Sequence, residues 1–289
     1  MTDSDRIRSI RRILVALDAS SHSLAAVEAA VELAARLEAE LSGLFVEDVE
    51  LLRLAECPGA RELLYPSATE APLSRATMES RLRAQSEQAR KALGAAAERL
   101  RVRWTFRTVR GPVTSAILAA ATEADLLAMG TVGWSFGPLI RMGSTATGVL
   151  TSGVPVLLIS EERLPHDVRL VVYYDGSAAA RRSVMAAEQL AKPGTNGITV
   201  LLAAAKHERF SALRDEVTSL LKDKGIEVRY REVDPQDEMS LFHALKSEQP
   251  GSLVLGGREL LKKLRAMGPM QREIGMPLLL LDGPEPEAA

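Results

Sequence analysis

The chain has little of what disulfide frameworks, metal clusters and membrane spans require. It contains one cysteine, Cys57, which excludes a disulfide within the chain, and its four histidines lack the spacing of metal ligands. No apolar run approaches the roughly eighteen residues that cross a bilayer. Residues 1–12 are polar and charged, unlike a signal peptide. We therefore expect a cytoplasmic protein in a reducing compartment.

Neither sign of charge is in excess. Lys plus Arg number 36 and Asp plus Glu number 38, which gives a net charge of −2. This balance provides no electrostatic reason to expect nucleic acid or an anionic membrane as a partner. A small molecule or another protein is the expected partner.

An internal repeat divides the 289 residues into two halves. Residues 12–18 (RILVALD) and 169–175 (RLVVYYD) share an arginine, an apolar strand and a terminal aspartate at an offset of 157 positions. A chain of this length is also typical of two domains. The repeat therefore predicts one domain at 1–162 and a second at 163–289.

Strands and helices alternate in both halves. In the first half we predict strands at 13–18, 41–46, 102–109, 125–130 and 155–160, and helices at 21–39, 74–100, 112–123 and 143–152. In the second half we predict strands at 169–174, 197–204, 226–233, 252–256 and 277–281. Apolar strands with helical crossovers favour an α/β fold of two tandem doubly wound parallel five-stranded sheets, with helices on both faces.

Residues 47–73 interrupt the alternation after the second strand. A short helix is expected near the start of this insertion, and three prolines break up the remainder. We interpret the insertion either as a flap over a ligand pocket or as a partner-facing or flexible loop.

A glycine pattern follows the fourth strand of the first half. Gly130 and Gly133 precede Gly143, Ser144 and Thr145 with the spacing G-x2-G-x9-G-[ST]. Glycine lets an anion approach the main chain, and a helix starting at Ser144 would offer free N-terminal amides. The pattern therefore predicts a phosphate site. The alternative is a glycine-rich turn followed by an ordinary helix cap.

These residues together resemble the universal stress protein family in its tandem form, with two family domains in one chain. The resemblance covers residues 10–160 strongly and 167–282 more weakly. It is carried by ILVALDAS at 13–20, LFVED at 44–48 and the segment 129–159. The ATP-binding branch of the family has the same glycine pattern. The resemblance thus implies a Rossmann-like, adenine-nucleotide-binding fold with one intact site in the first domain.

The resemblance also assigns roles to individual residues. Asp18 would lie against the ribose or a phosphate-bound Mg2+, and the main chain of Val46 would hydrogen-bond the adenine edge. The remaining contacts would come from Met129, Gly130, Val132, Gly133, Gly143, Ser144 and Thr145. From the residues alone, Asp18 is equally a cap of the helix that follows it.

The second half keeps the terminal aspartate but loses the phosphate pattern. Gly268 is followed by Pro269, which has no N–H, and by Met270, which has no hydroxyl. One nucleotide site per chain is therefore expected. The apolar segments 154–159 and 276–281 match the strands through which family domains commonly pair. The resemblance implies a pseudo-dimer within the chain, a homodimer, or both.

Catalysis needs a positioned acid, base or nucleophile beside the substrate. No histidine or lysine neighbours the glycine pattern in sequence, and the P-loop pattern G-x4-G-K-[ST] is missing. An enzyme is poorly supported, although slow ATP hydrolysis is compatible with the family. We expect an ATP-binding regulatory module of the stress response that acts on an unknown protein partner. The alternatives are a nucleotide-independent interaction protein of the same fold and an adenylyl-transferring or amidating enzyme of the related α/β superfamily.

Overall fold

Strands and helices alternate along the described part of the chain. The computed structural model describes residues 10–18, 20–64, 69–130, 144–150, 152, 154–159, 169–191, 197–248, 251–255 and 278–280. The strands are β1 (Arg12–Leu17), β2 (Glu40–Asp48), β3 (Arg61–Leu64), β4 (Thr69–Pro72), β5 (Trp104–Gly111), β6 (Leu126–Gly130), β7 (Val156–Ile159), β8 (Arg169–Tyr174), β9 (Ile198–Ala203), β10 (Val228–Val233), β11 (Gly251–Leu255) and β12 (Leu278–Leu280). The helices are α1 (Ser21–Leu37), α2 (Val49–Glu56), α3 (Arg75–Arg99), α4 (Val113–Ala121), α5 (Ser144–Leu150), α6 (Ala178–Leu190), α7 (His207–Leu220) and α8 (Glu238–Ser247).

Ten of these strands form one continuous sheet. Their order is β10-β9-β8-β11-β12-β7-β6-β1-β2-β5. Neighbouring strands run parallel within each half. Within this sheet, as far as the structure describes it, only β7 and β12 pair antiparallel, with Leu158 opposite Leu278. Each half contributes five parallel strands in the same order, and the two sets meet edge to edge. The predicted α/β fold with parallel sheets is confirmed.

The helices cover both faces of the sheet because its strands are apolar on both sides. In β1, Ile13 and Val15 belong to the core cluster that contains residues of α1 and α3. Leu14 and Ala16 belong to the other cluster, which contains residues of α4 and α5. All four side chains are buried. Burial on both faces explains why the strand is an unbroken apolar run instead of an alternating one.

The insertion at 47–73 folds as a helix and a hairpin against α3. Asp48 caps α2 by accepting the N–H of Glu50, and β3 pairs antiparallel with β4. Leu52 of α2 is buried in the same cluster as Met78 of α3. The sequence predicted the short helix but not the hairpin, because proline is disfavoured within strands. Pro72 ends β4, where the edge of a two-stranded ribbon tolerates proline.

The described residues lack the features of a membrane span and of a metal cluster. No helix there combines the length and apolar character of a membrane span. The same residues contain no group of three or more His, Cys, Asp or Glu side chains that could hold a metal ion.

Candidate functional site

The carboxyl ends of β1 and β6 lie side by side and carry two of the predicted site residues. The strands are parallel neighbours, in register from Ile13 opposite Leu126. Asp18 follows β1 directly, and Gly130 is the last residue of β6. The chain passes from β1 to β2 on one side and later returns to β6 on the other, so the strand order reverses between them. Ligands of doubly wound sheets bind in the crevice at such a reversal.

Asp18 is held in a hydrogen-bonded turn at the start of α1. Its Oδ1 accepts the backbone N–H of Ser20 at 3.0 Å and the hydroxyl of Ser20 at 2.6 Å. Ser20 Oγ in turn accepts the N–H of Ser23 at 3.2 Å, which caps the helix. Among the described residues, none donates a hydrogen bond to Asp18 Oδ2. One oxygen of Asp18 therefore supports the start of the helix.

Val46 lies where β2 runs past the end of β1. The pairing of β1 with β2 ends at Leu17 and Phe45, whereas β2 stays paired with β5 as far as Asp48. Beyond Phe45, the edge of β2 that faces β1 makes no further ladder contact with it. The side chain of Val46 is half-buried against the core on the α4 side.

Met129 and Gly130 end β6 in different environments. Met129 is 6% exposed and belongs to the core cluster on the α4 side, so its side chain packs in the interior. Gly130 pairs with Ile159 of β7 and is half-buried. Met129 thus stabilises the end of the strand from the interior, and Gly130 is the last residue that pairs with β7.

Helix α5 is fixed by close packing on α4. It begins at Ser144, and its residues Ala146 and Val149 are buried. A Cβ added to Gly148 would lie 2.8 Å from Cγ2 of Thr114, so only glycine allows this approach. Thr145 is half-buried at the start of the helix. The predicted contacts Val132, Gly133 and Gly143 lie outside the described residues.

A chain of ion pairs begins one residue beyond Val46 and was not predicted. Glu47 Oε2 accepts from Arg110 Nε at 2.9 Å and lies 2.7 Å from Arg110 Nη2. Arg110 also reaches Glu79 of α3 at 3.4 Å, and Arg75 lies 3.2 Å from the same Glu79 oxygen. Arg75 also pairs with Glu56 of α2. The pairs connect the end of β2 to the insertion. The sequence alone does not predict them, because Glu47 and Arg110 are brought opposite each other by the register between β2 and β5.

The second half repeats the aspartate turn. Asp175 Oδ1 accepts the N–H of Ser177 at 2.9 Å, and Ser177 caps α6. Gly176 between them adopts a left-handed φ of 86°. Arg209, in the first turn of α7, donates from Nη2 to the carbonyl oxygen of Asp175 at 3.1 Å. The guanidinium therefore lies over this turn. The second-half departures at 268–270 lie outside the described residues.

Two buried tyrosines end the strand below this second turn. Burial raises the pKa of Tyr173 to about 12, and the nearby Asp175 carboxylate adds to the shift. Burial also raises the pKa of Tyr174 to about 12, with a further contribution from Glu216. Both phenols stay neutral at physiological pH and provide no base at this edge.

The sequence was compared with family models and with curated proteins. Residues 9–160 match the model of the universal stress protein family. No curated protein matches the chain.

Two solved structures with the same fold cover both halves of the chain, and a third structure matches one half. A universal stress protein from Archaeoglobus fulgidus is 17% identical, covers 96% of this chain and 99% of its own, and superposes with a TM-score of 0.68. A putative universal stress protein from Pseudomonas aeruginosa is 12% identical, covers 94% and 93% respectively, and has a TM-score of 0.52. A universal stress protein in complex with cAMP is 23% identical and covers 53% of this chain and 99% of its own, with a TM-score of 0.35. The first two show that the fold extends beyond the residues matched by the family model.

Proposed function

The chain belongs to the universal stress protein family, and we propose that its first half binds an adenine nucleotide and acts as a nucleotide-dependent regulatory module. The observation that carries this proposal is the position of Asp18 and Gly130. They end adjacent parallel strands on the two sides of the point where the strand order reverses. In the sequence, a glycine pattern suited to phosphate begins at Gly130.

ATP with Mg2+ is the proposed ligand. Asp18 Oδ2 would face the ribose or the metal, since Oδ1 already holds the turn at Ser20. A carboxylate oxygen suits Mg2+, which proteins bind through one or two carboxylates together with the substrate's phosphates. The β2 main chain at Val46 would meet the adenine edge. The Gly130–Thr145 segment would hold the phosphates through backbone amides.

The arrangement supports binding better than turnover. Three carboxylates stand at the described strand ends of the crevice, and each already has a partner: Asp18 accepts from Ser20, Glu47 pairs with Arg110, and Asp48 caps α2. Rapid hydrolysis would need a second group that positions and deprotonates water. The proposed cycle is therefore nucleotide binding and release, which changes the surface that the first half offers to a protein partner.

We propose that the two halves form a pseudo-dimer of domains at 1–162 and 163–289. The antiparallel pairing of β7 with β12 supports this, because it covers two apolar edges that would otherwise be exposed. In the second half, Arg209 lies over the Asp175 turn and donates to the carbonyl oxygen of Asp175. The second half is proposed to stabilise the first, with one nucleotide bound per chain.

One observation favours a second candidate, a nucleotide-independent interaction protein. The turn at Asp175 has the same hydrogen bond as the turn at Asp18, although the second half lacks the phosphate pattern. The aspartate turn alone is thus explained by helix capping.

The two candidates differ in what the purified protein carries. Acid extraction followed by chromatography of the released material should yield an adenine nucleotide. Calorimetric titration of the emptied protein with ATP, ADP, AMP and cAMP, with and without Mg2+, should show saturable binding of one nucleotide per chain. No extracted nucleotide and no binding at about millimolar ATP would support the interaction protein instead.

A further inference from the structure

Helix α3 reaches beyond the carboxyl edge of the first-half sheet. Ser86 Oγ lies 2.7 Å from Thr108 Oγ1 of β5, and Glu79 Oε1, two turns earlier in α3, lies 3.4 Å from Nη1 of Arg110. Arg110 is the last residue of β5 but one. Because α3 runs back along the sheet from its carboxyl edge, its first turn at 75–78 extends past the strands. The insertion packs on this extension.

The insertion is too small to hold its structure without α3. Helix α2 has eight residues, and β3 and β4 have four each. Isolated helices shorter than about 12 residues and single two-stranded hairpins are marginally stable in water. Leu52 and Ala55 of α2 are buried in the core cluster that also contains Met78 and Leu82 of α3. The order of the insertion therefore depends on its docking on α3, and local opening would detach it.

The ion pairs from Glu47 to Glu56 connect this docking to the end of β2. Arg110 pairs with both Glu47 and Glu79, whose side chains are 13% and 25% exposed. Arg75 then joins Glu79 to Glu56 at the end of α2. A single exposed ion pair contributes little to stability, but a network with partly buried carboxylates contributes more. The docked position of α2 is thus linked to Glu47 by side chains.

The main chain makes a second connection at the end of β2. Residues 46–48 pair with β5 but, among the described strands, not with β1. The last of them, Asp48, caps α2 by accepting the N–H of Glu50 at 2.9 Å. A group bound to the main chain of Val46 would therefore restrain Glu47 and Asp48 together. Glu47 begins the ion pairs, and Asp48 begins the helix.

We propose that nucleotide binding and docking of the insertion are coupled, so that a bound nucleotide stabilises the docked insertion. The inference rests on the proposed function, because the restraining group is the nucleotide at Val46. Restraint there would hold Glu47 against Arg110 and keep Asp48 in place at the start of α2. Coupling between two equilibria is reciprocal, so docking of the insertion would raise the nucleotide affinity by the same factor. The nucleotide-dependent surface of the first half would then include the insertion.

Hydrogen exchange measured by mass spectrometry on the full-length chain tests the coupling. The probe is Mg2+-ATP at a concentration that calorimetry shows to be saturating. Exchange in α2 and in the hairpin should slow by about fivefold or more, which is the lower end of typical coupling. Helix α7 in the second half serves as the internal reference and should keep its exchange rate.

Arg110→Gln removes the link between Glu47 and Glu79. In this variant the slowing should fall to about twofold or less, and the ATP affinity should fall by the factor that is lost. Arg75→Gln breaks the ion pairs at their exposed end without a change in the sheet, and it should reduce the slowing in the same direction. Unfolding midpoints close to wild type would show that both variants keep the fold.

Arg107→Gln is the matched control. Arg107 lies on the same strand as Arg110 and pairs at 3.1 Å with Glu123, just after α4. The substitution therefore removes the same kind of ion pair from the face of the sheet that does not carry the insertion. The nucleotide-induced slowing in the insertion should match wild type.

Failure of the coupling and failure of the nucleotide site give different results. Calorimetric binding of Mg2+-ATP with unchanged or faster exchange in the insertion would overturn the coupling alone. No binding in calorimetry would overturn the nucleotide site and the coupling with it. Equal slowing in the Arg110, Arg75 and Arg107 variants would overturn the role of the ion pairs.

Discussion

Asp18 and Asp175 make the same hydrogen bond at equivalent places in the two halves. Each Oδ1 accepts the backbone N–H of the serine two residues later, at 3.0 Å and 2.9 Å. Each of those serines caps the helix that follows. Because only the first half has the glycine pattern, the turn serves helix initiation in both halves, and nucleotide binding would be an additional role of Asp18.

Asp18→Asn separates the two roles. Asparagine also has a side-chain oxygen that accepts the Ser20 N–H, so we expect the free energy of unfolding to change by less than about 1 kcal/mol. The lost charge should weaken Mg2+-ATP binding about tenfold or more, because Mg2+ prefers carboxylate oxygen. Calorimetric titration and denaturant unfolding measure the two effects.

Asp175→Asn is the matched control for this substitution. It changes the same turn in the half that lacks the phosphate pattern, and the affinity for Mg2+-ATP should stay at the wild-type value. If Asp18→Asn also keeps the wild-type affinity, Asp18 only holds the turn that positions the helix cap Ser20.

Gly143→Asp tests the glycine pattern itself. A carboxylate at this position would repel the phosphates, and its side chain would occupy space where a ligand approaches the main chain. We expect ATP binding to be lost while circular dichroism and the unfolding midpoint stay close to wild type. Gly268→Asp, the corresponding change in the second half, should leave the ATP affinity unaltered. Wild-type ATP affinity in Gly143→Asp would refute the assignment of this loop.

The alternation of elements could be predicted from the sequence because it depends on local patterns. The apolar run at 13–17 and the cap at Ser20 define β1 and the start of α1 without tertiary information. The hairpin at 61–72 could not be predicted in this way. It is held to α3 by ion pairs, such as Arg81 with Glu62, between residues distant in sequence.

Strand partners at the sheet edges also depend on tertiary structure. The sequence shows that β7 and β12 are apolar, but an apolar edge can pair within the chain or with another chain. Of the candidate site, the strand ends at Asp18 and Gly130 follow from the pattern of apolar runs. The Glu47–Arg110 pair does not, since it requires the register between β2 and β5.

Docking of the hairpin should depend on the protonation of Glu62. Arg81 donates to both Glu62 oxygens, at 2.6 Å and 2.9 Å, and these hydrogen bonds lower the pKa of Glu62 below its ordinary value of 4.5. A lowered pKa in the folded state means that the pair stabilises the protein fully above the ordinary pKa. The stabilisation is lost as the pH falls through the lowered value.

Glu62→Gln should therefore lower the unfolding midpoint at neutral pH, and the difference from wild type should disappear at an acidic pH below the lowered pKa of Glu62. Thermal unfolding monitored by circular dichroism at the two pH values measures this. Glu98→Gln, on the exposed surface of α3, serves as the control and should show no difference at either pH. A Glu62→Gln effect that persists unchanged in acid would show that the pair does not account for it.

The pairing of β7 with β12 within one chain predicts a specific cross-link. Leu158 lies opposite Leu278, and directly opposed residues of antiparallel strands have Cβ atoms about 4.5–5.5 Å apart. With Cys57→Ser as background, Leu158→Cys combined with Leu278→Cys should form a disulfide on mild oxidation. The product should have the mass of a single chain, because both strands belong to the same molecule.

Val156→Cys combined with Leu278→Cys provides the control for register. Val156 lies opposite Leu280, so its diagonal distance to position 278 is about 7–8 Å, which exceeds the reach of a disulfide. This pair should oxidise far more slowly. If the Leu158 and Leu278 cysteines instead join two chains, the edges pair between molecules, and the second half covers the first half of a neighbour.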